Sequence, residues 1–123
     1  MRIVGEWHQC DDGITRPTVM ARVEAQPAVF CDKRFLVDIG ADRTVLSALL
    51  LTRLGLTSAS GGQAVVLAGI GGTQTSVTVQ TALEFDHEGG TAVVRGQFTA
   101  FTDPAATDMS ILGRNVLNNF DLI

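Results

Sequence analysis

Asp38 stands at the end of the apolar run Phe35-Leu36-Val37 and opens the loop Asp38-Ile39-Gly40-Ala41-Asp42-Arg43-Thr44. A carboxylate so placed can work as a general acid or base, or it can simply cap a turn at a strand end. Gly40 supplies a backbone able to turn tightly beside it. The remaining chemistry-bearing residues form no recognisable constellation. His8 and His87 have no Ser or Cys partner in a hydrolase pattern. Cys10 and Cys31 lack CxxC or Cys/His spacing, so no zinc site is expected and both read as reduced thiols.

These residues need a scaffold of short strands. Thr18 to Val23 alternates loosely and reads as a strand entered through Arg16-Pro17. Ala28 to Cys31 and Arg34 to Asp38 read as two strands joined by a polar Asp32-Lys33 turn. Thr44 to Leu46 is a further short strand. Ser47 suits the N-cap of a helix from Ala48 to about Leu54, with Gly55 as its C′ residue. Ala64 to Ala68 and Thr73 to Gln80 flank Gly69-Ile70-Gly71-Gly72 as a glycine-tipped hairpin. Strands follow at Thr81 to Phe85 and Thr91 to Phe101, with a turn at Asp86 to Gly90 between them. Ser110 to Gly113 ends a buried strand, and Arg114 to Asn119 is a short helix. The tally is about eight strands against one or two short helices, a mostly β domain. Phe35 to Gly40 and Met109 to Gly113 echo each other as apolar strands ending in Gly before a helix.

Composition narrows the field further. With 123 residues, 46% hydrophobic, one domain can bury a core without staples. A net charge of −4 and only 9 Lys+Arg argue against nucleic-acid binding. No apolar stretch, Ala48 to Leu51 included, approaches the roughly 20 residues of a membrane span. No secretory signal is read at the start, so a cytoplasmic setting is the favoured expectation.

Three segments together resemble the retropepsin-like (retroviral-type) aspartic proteases. Val37 to Leu46 is similar to the family's Asp-Thr/Ser-Gly-Ala-Asp-x-Thr-Val-Leu loop. Ala68 to Gly72 is similar to the glycine-rich flap tip, and Ile111-Leu112-Gly113-Arg114-Asn115-Val116-Leu117 to the Ile-Leu/Ile-Gly-Arg-Asn/Asp-x-Leu segment. Arg16-Pro17-x-Val19 is a weaker match. The resemblance implies a closed β-barrel-type acid protease fold over residues 16–123, preceded by an N-terminal extension, 1–15.

It also implies a mechanism. Aspartic proteases place two carboxylates around one water, one as base and one as acid, and the pair shares a proton in mild acid. This chain has one such loop, so the resemblance implies half a site per chain and a homodimer in which Asp38 meets its copy. The expected activity is hydrolysis of peptide or protein substrates with no metal and no cofactor. Asp42 and Arg114 are expected to pair across the two motifs, or to form a plain surface salt bridge, and Arg16 to reach the partner's Asp42. Gly69, Ile70, Gly71 and Gly72 are expected to close over an extended peptide, unless they merely tip a hairpin. Ala41, Val45, Leu67, Ile70 and Ile111 would favour hydrophobic side chains at the cleavage point, or else belong to the core. Ile39 departs from the family's Thr or Ser, whose hydroxyl bonds across the dimer axis. That substitution keeps open a weakly active or inactive peptide-binding module.

Overall fold

The computed structural model describes residues 2–26, 28–53, 65–69, 72–103 and 109–120. Among them run eight strands and two short helices: β1 (Glu6–Gln9), β2 (Thr15–Gln26), β3 (Val29–Val37), β4 (Val45–Leu46), α1 (Ala48–Arg53), β5 (Val65–Gly69), β6 (Gly72–His87), β7 (Gly90–Phe101), β8 (Ser110–Leu112) and α2 (Arg114–Leu117).

The strands lie in the order β1-β2-β3-β8-β4-β7-β6-β5, and β2 also pairs with β6. That last contact, through Arg22↔Glu84 and Val23↔Leu83, closes β2, β3, β8, β4, β7 and β6 into a six-stranded barrel. Closure satisfies the edges that an open sheet would leave unpaired. Electrostatics reinforce the seam: Arg22 bonds Glu84 at 2.6 Å and Asp86 at 2.6 Å. Side chains of Val23, Phe35, Leu46, Val79, Leu83 and Phe85 fill the interior with no exposed area. Phe85 meets Phe120 edge-on, with ring centroids 5.4 Å apart and planes at 64°, the arrangement that ring quadrupoles favour.

Two segments read as pairs of strands are single strands. Asp32 and Lys33 do not turn the chain; they pair with Arg22 and Ala21 inside the long β2–β3 ladder. Asp32 is exposed and Lys33 partly exposed, so both polar side chains keep contact with solvent while the backbone stays in the ladder. Gln80 and Thr81 likewise lie inside one β6 strand, opposite Gln97 and Gly96 of β7. The N-terminal stretch holds a strand as well. Glu6–Gln9 pairs antiparallel with Thr15–Thr18 through a turn in which Gly13 takes φ +83°, a conformation that favours glycine.

Helix α1 begins as its sequence requires. Leu50 N–H donates to Ser47 Oγ at 3.2 Å, the N-cap bond. Gly55, read as its C-terminal stop, lies outside the described residues. Among the described residues no helix is long and apolar enough to cross a membrane.

Phe85 sets the scale of the core's contribution. Phe85→Ala removes a ring with no exposed area that packs on Phe120, and should destabilise the fold by about 3–5 kcal/mol. Urea unfolding monitored by far-UV circular dichroism reads the loss as a lower midpoint.

Candidate active site

Strand β8 is the axis of the site. It runs parallel to β3, with Leu36 opposite Ile111, and antiparallel to β4, with Val45 opposite Ile111. The two segments that echo each other in sequence therefore lie side by side. The chain leaves β3 at Val37, makes the Asp38–Thr44 loop, and returns as β4 on the far side of β8. The loop is thus strapped over the end of β8.

Hydrogen bonds fix the strap at both ends. Asp38 N–H donates to Leu112 O at 3.1 Å, prolonging the β3–β8 ladder. Arg114 N–H donates to Ala41 O at 2.8 Å, and Asn115 N–H to Asp42 O at 3.1 Å. These are the free N–H groups of the first turn of α2, satisfied by loop carbonyls. Thr44, buried, ties the centre. Its Oγ1 accepts from Gly113 N–H at 3.0 Å and donates to Asn115 Oδ1 at 2.8 Å, and Asn115 Oδ1 also accepts Thr44 N–H at 2.8 Å.

Gly113 permits this closeness. A Cβ there would stand 2.4 Å from both the carbonyl carbon and the oxygen of Arg43, inside any allowed contact. Its φ of −97° is open to other residues, so glycine is required by space and not by backbone conformation.

Asp38 itself is half-buried, and its Oδ1 accepts Gly40 N–H at 3.0 Å. The bond orients the carboxyl group, and among the described residues Oδ2 has no partner. A Cβ on Gly40 would lie 3.3 Å from Asp38 Oδ1, so a larger residue would push the carboxylate aside. Ile39 turns outward with 64% of its surface exposed, an apolar side chain beside a carboxylate.

The other sequence-singled residues fall in three places. Asp42 and Arg114 form an ion pair, with both side chains largely exposed; such pairs contribute about 0–1 kcal/mol. Arg16 pairs within its own hairpin, bonding Asp12 at 2.7 Å. Gly69 and Gly72 pair across the β5–β6 hairpin, whereas Ile70 and Gly71 lie outside the described residues. Of the apolar residues, Val45 is buried and Ala41 and Ile111 are half-buried. Among the described residues no group of three or more His, Cys, Asp or Glu could hold a metal ion. Sequence reasoning passed over Thr44 and Asn115, although both lie inside the two quoted motifs.

Two predictions follow from this geometry. Gly113→Ala must displace the Arg43 backbone, and should lower stability by about 3 kcal/mol, read as a reduced urea midpoint. The Asp12–Arg16 clip carries a pH signature. The guanidinium of Arg16 holds the Asp12 carboxyl down to about 2 from an ordinary 3.8. A depressed folded value stabilises the protein above pH 3.8 and is lost as pH falls toward 2. The difference in melting temperature between wild type and Asp12→Asn should therefore shrink as pH falls through that window.

Residues 19–116 match the model of a family described as aspartyl protease. No curated protein matches. Among solved structures, the chain is similar to EIAV protease complexed with the inhibitor HBY-793, at 21% identity and a TM-score of 0.64, over 88% of this chain and 92% of that one. It is also similar to a retropepsin-like aspartic protease from Rickettsia conorii, at 15% identity and a TM-score of 0.60, over 98% of this chain and 92% of that one. Such identities speak to the fold, and the family match covers both the Asp38 loop and the Gly113-Arg114-Asn115 turn strapped to it. The chain belongs to the aspartyl protease family and has the retropepsin-like fold.

Proposed function

We propose that this chain is an aspartic endopeptidase that works as a homodimer. The observation that carries the reading is the half-buried Asp38 carboxyl, oriented by Gly40 N–H on a loop strapped to β8. One oriented carboxyl is half of what water activation needs. A second copy related by a twofold axis supplies the other half, one group acting as base toward water and the other as acid toward the scissile carbonyl. The exposed Ile39 beside Asp38 gives the two loops an apolar surface to bury against each other. The β5–β6 hairpin, in which Gly69 pairs with Gly72, closes over the peptide and limits water access. Peptide binds as an extended strand. Half-buried Ala41 and Ile111 favour hydrophobic side chains at the cleavage point, while buried Val45 supports them from the core. Asp42, paired with Arg114, braces the loop, and Arg16 belongs to the N-terminal hairpin.

Ile39 also favours a second reading, a weakly active or inactive module that binds peptides on the same fold. It has no hydroxyl to bond across the axis, and each lost bond costs about 1 kcal/mol.

Cleavage of a diverse peptide library from about pH 4 to 7, where a coupled carboxylate pair titrates, separates the two. The protease reading expects a bell-shaped acidic profile. Asp38→Asn should reduce cleavage by about 10³ or more, and Ile39→Thr should raise it by about tenfold through restored cross-axis bonds. Absence of cleavage by wild type and by Ile39→Thr, at concentrations where both are dimeric, leaves the binding module.

A further inference from the structure

A pocket opens beside the loop that carries Asp38, lined by its residues Arg43 and Thr44. Its volume is about 280 Å³, and Arg43, Thr78, Gln97, Thr99 and Asn115 stand around it. Among the described residues Arg43 is the only charged one lining it; the others are neutral polar, with Phe98 as the apolar part.

Arg43 differs from five other arginines of the chain. Arg16, Arg22, Arg34, Arg95 and Arg114 each face a carboxylate of their own chain. The Arg43 side chain meets no carboxylate and makes no hydrogen bond among the described residues. The neighbouring acid, Asp42, is already neutralised by Arg114.

Asn115 adds a second donor. Its Oδ1 accepts both Thr44 N–H and Thr44 Oγ1–H, which fixes the amide orientation and, among the described residues, leaves Nδ2 without a partner. The hydroxyls of Thr78 and Thr99, opposite each other across β6 and β7, stand on the same pocket. Among the described residues the lining holds no acid, and a guanidinium, an amide NH2 and threonine hydroxyls form a set of donors suited to a carboxylate.

We infer that this pocket receives an acidic side chain, Asp or Glu, of the peptide lying along the Asp38 loop. The inference rests on the protease reading for its substrate, while the pocket's preference for a carboxylate is independent of cleavage. The cleavage point then takes hydrophobic side chains, and Arg43 with Asn115 adds selection for acid a few residues away. The guanidinium supplies charge and two parallel donors, the Asn115 amide a third, and the Thr44 bonds hold Asn115 in place. Arg43 is thus a specificity-determining residue of the loop.

The test uses one proteome-derived peptide library in two arms, with wild type, Arg43→Gln and Arg43→Glu. In the first arm the cleavage sites are read by mass spectrometry. In the second, peptides retained on each immobilised protein are sequenced. Far-UV circular dichroism first establishes that the variants are folded, as an exposed side chain without bonds predicts. Wild type should enrich Asp and Glu near the cleavage point and among retained peptides, by about tenfold over Gln and Asn. Arg43→Gln should erase that enrichment, and Arg43→Glu should reverse it toward Lys and Arg. If no peptide is cleaved, the protease reading fails, yet acidic enrichment among retained peptides that Arg43→Gln erases still upholds the pocket. Equal profiles for wild type and both variants in the binding arm overturn the inference, whether or not cleavage occurs.

Discussion

The buried hydroxyl of Thr44 holds the site together. It accepts from Gly113 N–H and donates to Asn115 Oδ1, joining the Asp38 loop to the turn that follows β8. Two segments separated by about seventy residues meet there (|i−j| is 69 for Thr44 and Gly113). Because the oxygen is buried, an unmade bond would leave a desolvated polar group, at a cost of about 1–3 kcal/mol. The contact also demands a residue without a side chain at Gly113, where a Cβ would strike Arg43. Loop position, helix α2 and the last strand are therefore set by one constraint, and the Asp38 carboxyl is aimed as a consequence.

Barrel closure supplies the rigid frame for that contact. β2 pairs with both β3 and β6, and the Arg22, Glu84 and Asp86 cluster lies on the closing seam. Within the barrel β3 is paired on both sides, with β2 and β8, so the candidate carboxyl emerges from the end of a strand held along both edges. The exposed face of the loop is the part left unfinished. Ile39 is exposed there, which is costly for a lone chain and favourable if a second copy covers it.

Much of this was legible in the residues. The Asp38 loop, the hairpin around Gly69 and Gly72, the Ser47 cap and the Gly113-Arg114-Asn115 turn are local patterns, and local patterns survive without knowledge of neighbours. What was not legible depended on partners far along the chain. Asp32-Lys33 has the composition of a turn but stays extended because Arg22 and Ala21 of β2 pair with it. Glu6-Trp7-His8-Gln9 shows no apolar alternation, and its strand exists because Thr15 to Thr18 lie alongside. Thr44 and Asn115 stand in motifs that were recognised, yet their bond joins two ends of the sequence. The pocket at Arg43 is likewise a product of the Asp38 loop, β6, β7 and α2 together, and no single segment foretells it.

The proposed chemistry requires that one chain be half of the site. The direct measurement is specific peptidase activity against chain concentration, with sedimentation recording the monomer–dimer equilibrium on the same samples. A site shared between two copies predicts that specific activity rises with the dimer fraction and levels off when dimerisation is complete. Activity that stays constant down to concentrations where the chain is wholly monomeric would contradict it.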